Sequence, residues 1–198
     1  MIKINNLPKT APYEKLQKYY LEAQKKNQKS IEAICISSLD HENLLVDSRY
    51  VNLKYIDGEI WTFFSNYNSP KALQFDSHSQ ISSVIFWNKI NLQIRLKAHI
   101  SKSASKISDE HFSKRNKTKN ALAISSYQSE EINSYSEIVD NYNKVLEKSD
   151  LKKRPSYWGG YSFIPFYFEF WKGHKNRLNK RTAYIKKNGE WNSKLLQP

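Results

Sequence analysis

Strand-length segments joined by tight turns constrain the fold of this 198-residue sequence more than any other feature. Asp57-Gly58 and Asn188-Gly189 are dipeptides that favour two-residue hairpin turns, and Pro165 implies an edge position or a break in its strand. Strands are predicted at residues 31–39, 44–56, 59–66, 81–87, 92–101, 161–171, 182–187 and 190–196. Six or more mostly antiparallel strands with short helices predict an α+β fold, mainly β, built as a compact barrel with peripheral helices.

The helices are predicted from periodicity and from capping residues. Apolar residues at i, i+3, i+4 and i+7 predict an N-terminal helix over 12–26. Ser69, followed by Pro70, is expected to cap a short helix. Ser108 with its acidic neighbours predicts another start, and the capping box of 134–137 predicts a third.

Composition excludes several classes of protein. We expect a single domain over 1–198 with an N-terminal helical segment over 1–30, no membrane span and no signal peptide. The lone Cys35 forms no internal disulfide, which favours a cytoplasmic location, and the five His show no metal-ligand spacing, so no metal is expected. A net charge of +13 attracts anions, including phosphorylated small molecules and nucleic acid.

Residues 154–181 combine two Trp, three Gly and three Arg. One interpretation is a β-hairpin with an aromatic core face and a basic, solvated rim. The other is a ligand site, in which Trp158 beside Gly159-Gly160 lets backbone approach a flat surface. Arg177 and Arg181 would then present planar, permanently charged donors to an anionic ligand. The residues alone favour neither interpretation.

The residue pattern of this segment resembles that of a known family. R-P-S-Y-W-G-G-Y at 154–161, E-F-W-K-G at 169–173 and R-L-N-K-R at 177–181 resemble the C-terminal signature of the pyridoxamine 5′-phosphate oxidase family, R-P-x-x-W-G-G-[YF], E-F-W-x-G and R-L-H-D-R. The resemblance implies an FMN-binding split β-barrel that forms a homodimer. It also implies that 154–198 contributes to dimerisation and to the active site.

The resemblance extends to an FMN site. The sequence has no Gly-rich phosphate loop, so side chains must hold a bound phosphate. The segment 49–54 resembles the family's R-x-V-x-L-K, and the resemblance implies phosphate contacts from Arg49, Ser65 and Lys71. Pro70 replaces the family's usual Arg, which implies one contact fewer. The implied cofactor positions are Arg49, Tyr50, Val51, Asn52, Leu53, Lys54, Phe64, Ser65, Lys71, Gln93, Gln128, Ser129, Trp171 and Arg181.

The implied substrate site departs further from the family pattern. Where the family has Y-F-x-x-R-x-x-x-S, His111 and Lys119 replace Tyr and Ser; both are cationic or can become so, which suits a phosphate. Asn179 replaces the His of R-L-H, and 1–30 lacks the family's N-terminal R-R-E-Y type motif. The implied substrate-binding positions are Lys54, His111, Arg115, Lys119, Arg177 and Asn179, and the last two are the implied catalytic positions.

Three functions follow from these patterns. The first is an FMN-dependent oxidase that moves a hydride from the C4′ carbon of pyridoxamine or pyridoxine 5′-phosphate to flavin N5. This reaction gives pyridoxal 5′-phosphate, and oxygen is reduced to hydrogen peroxide. The second is a flavin oxidase of the same fold with another substrate, such as those of phenazine biosynthesis. The third, and least favoured, is a basic nucleic-acid-binding protein that stacks bases on aromatic side chains.

Overall fold

The computed structural model describes residues 1–198 and contains ten strands and five α-helices. The strands are β1 Lys3–Asn5, β2 Ala33–Asp40, β3 Leu45–Asn52, β4 Tyr55–Asp57, β5 Ile60–Asn66, β6 Gln80–Trp87, β7 Leu92–Lys102, β8 Trp158–Lys172, β9 Lys180–Lys187 and β10 Glu190–Leu196. The helices are α1 Ala11–Lys25, α2 Pro70–Ser77, α3 Ser105–Lys114, α4 Lys117–Ser125 and α5 Tyr135–Lys148.

All ten strands form one sheet, in the order β1-β4-β5-β8-β7-β6-β2-β3, with β9 on β8 and β10 on β9. Every pair is antiparallel except β1 with β4. The long strand β8 pairs with β7 on one edge, while its other edge pairs first with β5 and then with β9. Pro165 lies between those two partners, where this edge of β8 is unpaired, so its missing N–H interrupts no ladder there. The strand itself runs without a break from Trp158 to Lys172.

The predicted strand over 44–56 is wrong as a single element. Residues 45–52 pair with β2, whereas only 55–57 pair with β5 as the predicted hairpin requires. Between them the chain changes partners: the Leu53 N–H donates to the Glu32 carbonyl, and the Lys54 N–H donates to the Thr62 carbonyl. The turn itself is confirmed, with Gly58 at φ +58°.

Two helix starts differ from the prediction. Helix α3 begins at Ser105, and Ser108 lies inside it, fully buried, where its hydroxyl accepts a hydrogen bond from the Gly160 N–H at 2.9 Å. Ser69 precedes α2 as predicted, but its hydroxyl donates to the Asn66 carbonyl at 2.8 Å and does not cap the helix. Both hydroxyls therefore serve tertiary contacts that the local sequence does not reveal.

The remaining helices follow local signals. Helix α5 begins at the predicted capping box, since the Ser134 hydroxyl accepts from the Glu137 N–H at 3.4 Å. Helix α4 was not predicted; Asn116 caps it by accepting from the Thr118 N–H at 2.8 Å. None of the five α-helices combines the length and the apolar composition of a membrane-spanning helix.

The core lies between the sheet and α1 and is rich in aromatic side chains. Phe168 is fully buried, with its ring 5.2 Å from Tyr13, 5.4 Å from Trp191 and 6.1 Å from Trp61. Trp61 and Trp87 are 0 % and 1 % exposed. Aromatic rings held in this way are not available to stack on nucleic-acid bases, which removes the main support for the third function.

Replacing Phe168 by Ala should lower the free energy of unfolding by about 3–5 kcal/mol, because a large buried ring leaves a cavity lined by other rings. The matched control is Phe86→Ala on β6, since Phe86 is 54 % exposed. That change should cost less than about 1 kcal/mol. Urea unfolding followed by tryptophan fluorescence measures both, and equal losses would contradict this account of the core.

Candidate functional site

One cavity of about 820 Å³ opens between the sheet and helices α2, α3 and α4. This volume lies within the range of sites for cofactors and small molecules. Twelve of the implied cofactor and substrate positions line it: Arg49, Tyr50, Val51, Asn52, Lys54, Phe64, Ser65, Lys71, His111, Arg115, Lys119 and Gln128. The fold thus brings residues from five separate stretches of sequence to one concave surface.

Arg49 and Lys71 form the first group of cations in this cavity. Lys71 is only 6 % exposed, and its ammonium donates to the Ser69 hydroxyl at 3.0 Å. Burial, and then the nearby Arg49, lower the pKa of Lys71 to about 8. No carboxylate of the chain forms an ion pair with Lys71. Because a buried charge without a partner is costly, this environment favours an anionic ligand.

Arg49 is held in place by side chains that the sequence analysis did not single out. One guanidinium nitrogen donates to the Ser38 hydroxyl at 2.5 Å and another to the Gln74 amide oxygen at 3.1 Å. Gln74 in turn donates to Asp47 at 2.7 Å. Ser38 on β2 and Gln74 on α2 are distant in sequence, so no local pattern marks them as partners of Arg49.

Lys54, Arg115 and Lys119 form the second group of cations. Arg115 donates to the Lys119 carbonyl at 2.7 Å and to Asn120 at 3.2 Å, and its guanidinium lies 4.9 Å from the ring centre of Trp158. Burial lowers the pKa of Lys54; Glu32 opposes this effect, and Lys119 and Arg115 add to it. The second group therefore also has more positive than negative charge close by.

His111 lies among these cations but is not one of them. Its ring stacks on Phe64 with 3.8 Å between the centres and 6° between the planes, and the Tyr55 hydroxyl lies 2.7 Å from its Nδ1. Burial, followed by repulsion from Arg115, Lys54 and Lys3, lowers the pKa of His111 to about 4. The expectation that His111 adds positive charge is therefore corrected, because its imidazole is neutral in the free protein at neutral pH.

Three implied cofactor positions, Gln93, Trp171 and Arg181, do not line the cavity. They are neighbours across β7, β8 and β9, where Trp171 is the register partner of both Gln93 and Arg181. Trp158, which lines the cavity, begins β8, and Trp171 lies thirteen residues later on the same strand. At about 3.3 Å per residue this is roughly 40 Å of strand. We name this half-buried face, formed by Gln93, Trp171 and Arg181, the outer face of β8.

The four other residues also lie outside the cavity lining. Leu53 is fully buried in the core, so its side chain does not reach a ligand. Ser129 follows Gln128 and is exposed, with φ +72°. Arg177 and Asn179 lie in the loop between β8 and β9; Arg177 is exposed with φ +61°, and the Asn179 oxygen accepts from the His174 N–H at 3.1 Å.

A buried ionic network organises the outer face of β8. Glu169 is 2 % exposed and accepts two hydrogen bonds from Arg181, at 3.0 and 2.8 Å. Its other oxygen accepts from Arg95 at 3.0 Å and from the Tyr167 hydroxyl at 2.9 Å. The sequence motif E-F-W-K-G contains Glu169, but only the register with β7 and β9 reveals its partners.

Comparison with known proteins agrees with this architecture. Residues 158–198 match the family model described as the pyridoxine 5′-phosphate oxidase C-terminal dimerisation region. The pyridoxine/pyridoxamine 5′-phosphate oxidase of Legionella pneumophila strain Paris is 34 % identical over 168 residues, covering 84 % of this chain and 78 % of that protein. The enzyme of the same name from Neisseria meningitidis serogroup C is 32 % identical over 188 residues, covering 94 % and 89 %.

Two solved structures share the fold. PhzG from Burkholderia lata 383, in complex with tetrahydrophenazine-1-carboxylic acid, superposes with a TM-score of 0.90 at 21 % identity, over 96 % of this chain and 94 % of that one. A pyridoxamine 5′-phosphate oxidase-related, FMN binding protein from Nostoc punctiforme PCC 73102 gives 0.79 at 11 % identity, over 96 % and 99 %. The fold is that of the FMN-binding split barrels. With the identity and coverage of the two oxidases above, the chain belongs to the pyridoxine/pyridoxamine 5′-phosphate oxidase family.

The neutral state of His111 has a consequence for stability. An unfolded chain protonates His111 near pH 6.5, whereas the folded chain does so only near pH 4. The unfolded state therefore binds more protons between these values, and the folded protein loses stability as pH falls through this window.

Replacing His111 by Gln should make the free energy of unfolding less sensitive to pH. Between pH 7.5 and 5 the variant should lose on the order of 1–2 kcal/mol less than the natural protein. The control is His99→Gln, at an exposed position on β7. Urea unfolding at both pH values tests this, and a parallel loss in all three proteins would be evidence against a neutral His111.

Proposed function

We propose that the protein is an FMN-dependent oxidase acting on pyridoxamine or pyridoxine 5′-phosphate. The observation that carries the proposal is the presence of two separate groups of cations in one cavity of about 820 Å³. A flavin with one phosphate and a substrate with one phosphate would each need such a group. The family resemblance alone would not show whether this cavity has kept these charges.

The first group suits the flavin phosphate. Arg49 and Lys71 would neutralise its charge, and the buried Ser65 hydroxyl also lines the cavity. Because Lys71 is buried without a carboxylate partner, a phosphate there would supply the missing counter-charge. The chain offers no Gly-rich loop for a pyrophosphate, which favours FMN over a dinucleotide.

The second group suits the substrate phosphate. Lys54, Arg115 and Lys119 would bind it, and the stacking of Arg115 on Trp158 limits the freedom of that guanidinium. Bound FMN would supply the chemistry, accepting a hydride from the substrate's C4′ carbon and passing the electrons to oxygen. The residues of the chain would bind and orient the substrate and exclude water.

A second copy of the chain would complete the site. Gln93, Trp171 and Arg181 lie on the outer face of β8, and Arg177 and Asn179 lie in the loop beside it. In a symmetric dimer this face of one chain would approach the cavity of the other. The match of 158–198 to a dimerisation region supports this arrangement. Arg177 would then orient the substrate over the flavin, with Asn179 beside it.

A different substrate is the second candidate. His111, Lys119 and Asn179 depart from the family pattern on the substrate side, whereas the residues of the first cation group are kept. PhzG, which shares the fold, was solved with a carboxylic acid, and a carboxylate would also be attracted to Lys54 and Arg115. Failure of pyridoxamine 5′-phosphate to reduce the flavin would favour this candidate over the first.

The purified protein should be yellow and should release FMN, not FAD, on denaturation. Lys71→Ala should weaken FMN binding by about 1.5–3 kcal/mol, because it removes a charge-assisted contact. Lys29→Ala, a change at an exposed lysine, is the matched control and should bind FMN normally. Fluorescence titration of the stripped protein measures both, and equal affinity in the two variants would place the phosphate elsewhere.

Anaerobic addition of pyridoxamine 5′-phosphate should bleach the flavin absorbance, while dephosphorylated pyridoxamine should react far more slowly, because it lacks the contacts to the second cation group.

Arg177→Ala should mainly slow flavin reduction, since orientation of the substrate matters most near the transition state. Asn179→His should introduce a pH dependence near the range of an ordinary imidazole, about pH 6–7. Persistent absorbance in both the natural protein and Asn179→His would favour the second candidate.

A further inference from the structure

The Tyr55–His111 pair is the feature of the cavity that neither the family motifs nor the charge pattern explains. Tyr55 lies on β4 directly after Lys54, and its hydroxyl is 2.7 Å from Nδ1 of His111 on α3. The two rings meet edge to face, with 5.5 Å between their centres and 90° between their planes. His111 also stacks on Phe64. The imidazole is therefore held on one face and at one nitrogen.

The surroundings of the pair set the protonation of both groups. Burial and Glu110 raise the pKa of Tyr55, so its hydroxyl keeps its proton. Burial and the cations Arg115, Lys54 and Lys3 keep His111 neutral. A neutral imidazole carries one proton, on Nδ1 or on Nε2. In the Nε2–H tautomer, the bare Nδ1 accepts the hydrogen bond from the Tyr55 O–H. The only hydrogen bond of the His111 ring within the chain is the one at Nδ1.

We propose that Tyr55 is a positioning residue that fixes the Nε2–H tautomer of His111, so that His111 is a neutral hydrogen-bond donor to the anionic group of the ligand. The inference deepens the proposed function and rests on it for the identity of that group, a phosphate. The cations supply the charge, and His111 supplies a directed N–H. A group of three cations gains little from a fourth, whose burial and repulsion would oppose folding.

The groups that face the pair come from every element packed against it. Lys3 belongs to β1, Lys54 directly precedes β4, and Phe64 belongs to β5. Glu110 is on α3, and Arg115 follows that helix. Glu110 is the one carboxylate that acts on Tyr55, and no carboxylate is among the groups that act on His111. Thus no carboxylate offsets the repulsion that an imidazolium would meet at this position.

The tautomer can be observed directly by ¹⁵N NMR of the imidazole rings in the purified protein. The spectrum of His111, assigned by its loss in His111→Phe, should show a protonated Nε2 and a bare Nδ1 at pH 7. Tyr55→Phe keeps the ring contact with Phe64 and should shift the Nδ1 resonance. Tyr20→Phe removes a hydroxyl that bonds the Ile2 backbone and is the matched control. A protonated Nδ1, or an imidazolium at pH 7, would overturn the proposal.

Binding of pyridoxal 5′-phosphate, measured by calorimetry, tests whether Tyr55 acts through His111. His111→Phe and Tyr55→Phe should each weaken binding by about 5–10-fold, the usual scale of one hydrogen bond. The double variant should bind no more weakly than His111→Phe, because Tyr55 has no role once the imidazole is gone. Dephosphorylated pyridoxal should bind all four proteins alike. Additive losses, or an unchanged affinity in Tyr55→Phe, would refute the coupling.

The outcome is separable from that of the proposed function. If pyridoxal 5′-phosphate does not bind the natural protein, the assigned substrate fails. Titration with inorganic phosphate then still reports on His111 through its Nε2 resonance. A shift of that resonance in the natural protein, reduced in Tyr55→Phe, would support the positioning role with another anionic ligand. A resonance that phosphate does not move would refute it.

Discussion

Strand β8 is the element on which the rest of the structure depends. Its fifteen residues pair with β7 along one edge and with β5 and β9 in succession along the other. The N-terminal half lies at the cavity, and the C-terminal half presents Glu169 and Trp171 on the outer face. One strand therefore sets the position of both surfaces that the proposed site requires. Its length keeps them apart within a single chain.

The packing of β8 explains why the Gly pair follows Trp158. A Cβ on Gly160 would lie 2.6 Å from the Ser103 hydroxyl and 3.1 Å from the Phe64 ring. The absence of that atom lets β8 approach β5 and the start of α3, and the Phe64 ring then packs nearly parallel to the rings of both His111 and Trp158. Trp158 has features of both interpretations of residues 154–181. Trp158 is largely buried, as in a core, and it also forms part of the cavity wall.

The sequence predicts the features that depend on neighbouring residues. The turns at Gly58 and Gly189, helix α5 and the class of fold follow from local chemistry. The break between β3 and β4 does not, because it arises when the chain exchanges β2 for β5 as a partner. Ser108 misled the assignment of α3 for a similar reason, since its hydroxyl bonds the distant Gly160.

The candidate site also contains residues that the sequence predicts and residues that only the fold reveals. The motifs identify Arg49, Lys54 and Lys71, and the fold brings them to one cavity. They do not give the charge of His111, because three cations and burial act on it only in the folded chain. Nor do they reveal Tyr55, whose role depends on a helix more than fifty residues away.

The most direct test of the account is whether the cavity and the outer face of β8 act together across two chains. Lys71→Ala and Arg181→Ala chains, co-expressed with different tags, give a mixed dimer that tandem purification isolates. If the proposed arrangement is right, the cavity of the Arg181→Ala chain in that dimer meets the intact outer face of its partner, so one site would be complete. The account predicts about one tightly bound FMN per mixed dimer and little in either parent variant. A mixed dimer that binds no more FMN than its parents would show that both residues serve a site within a single chain, or none, and would contradict the account.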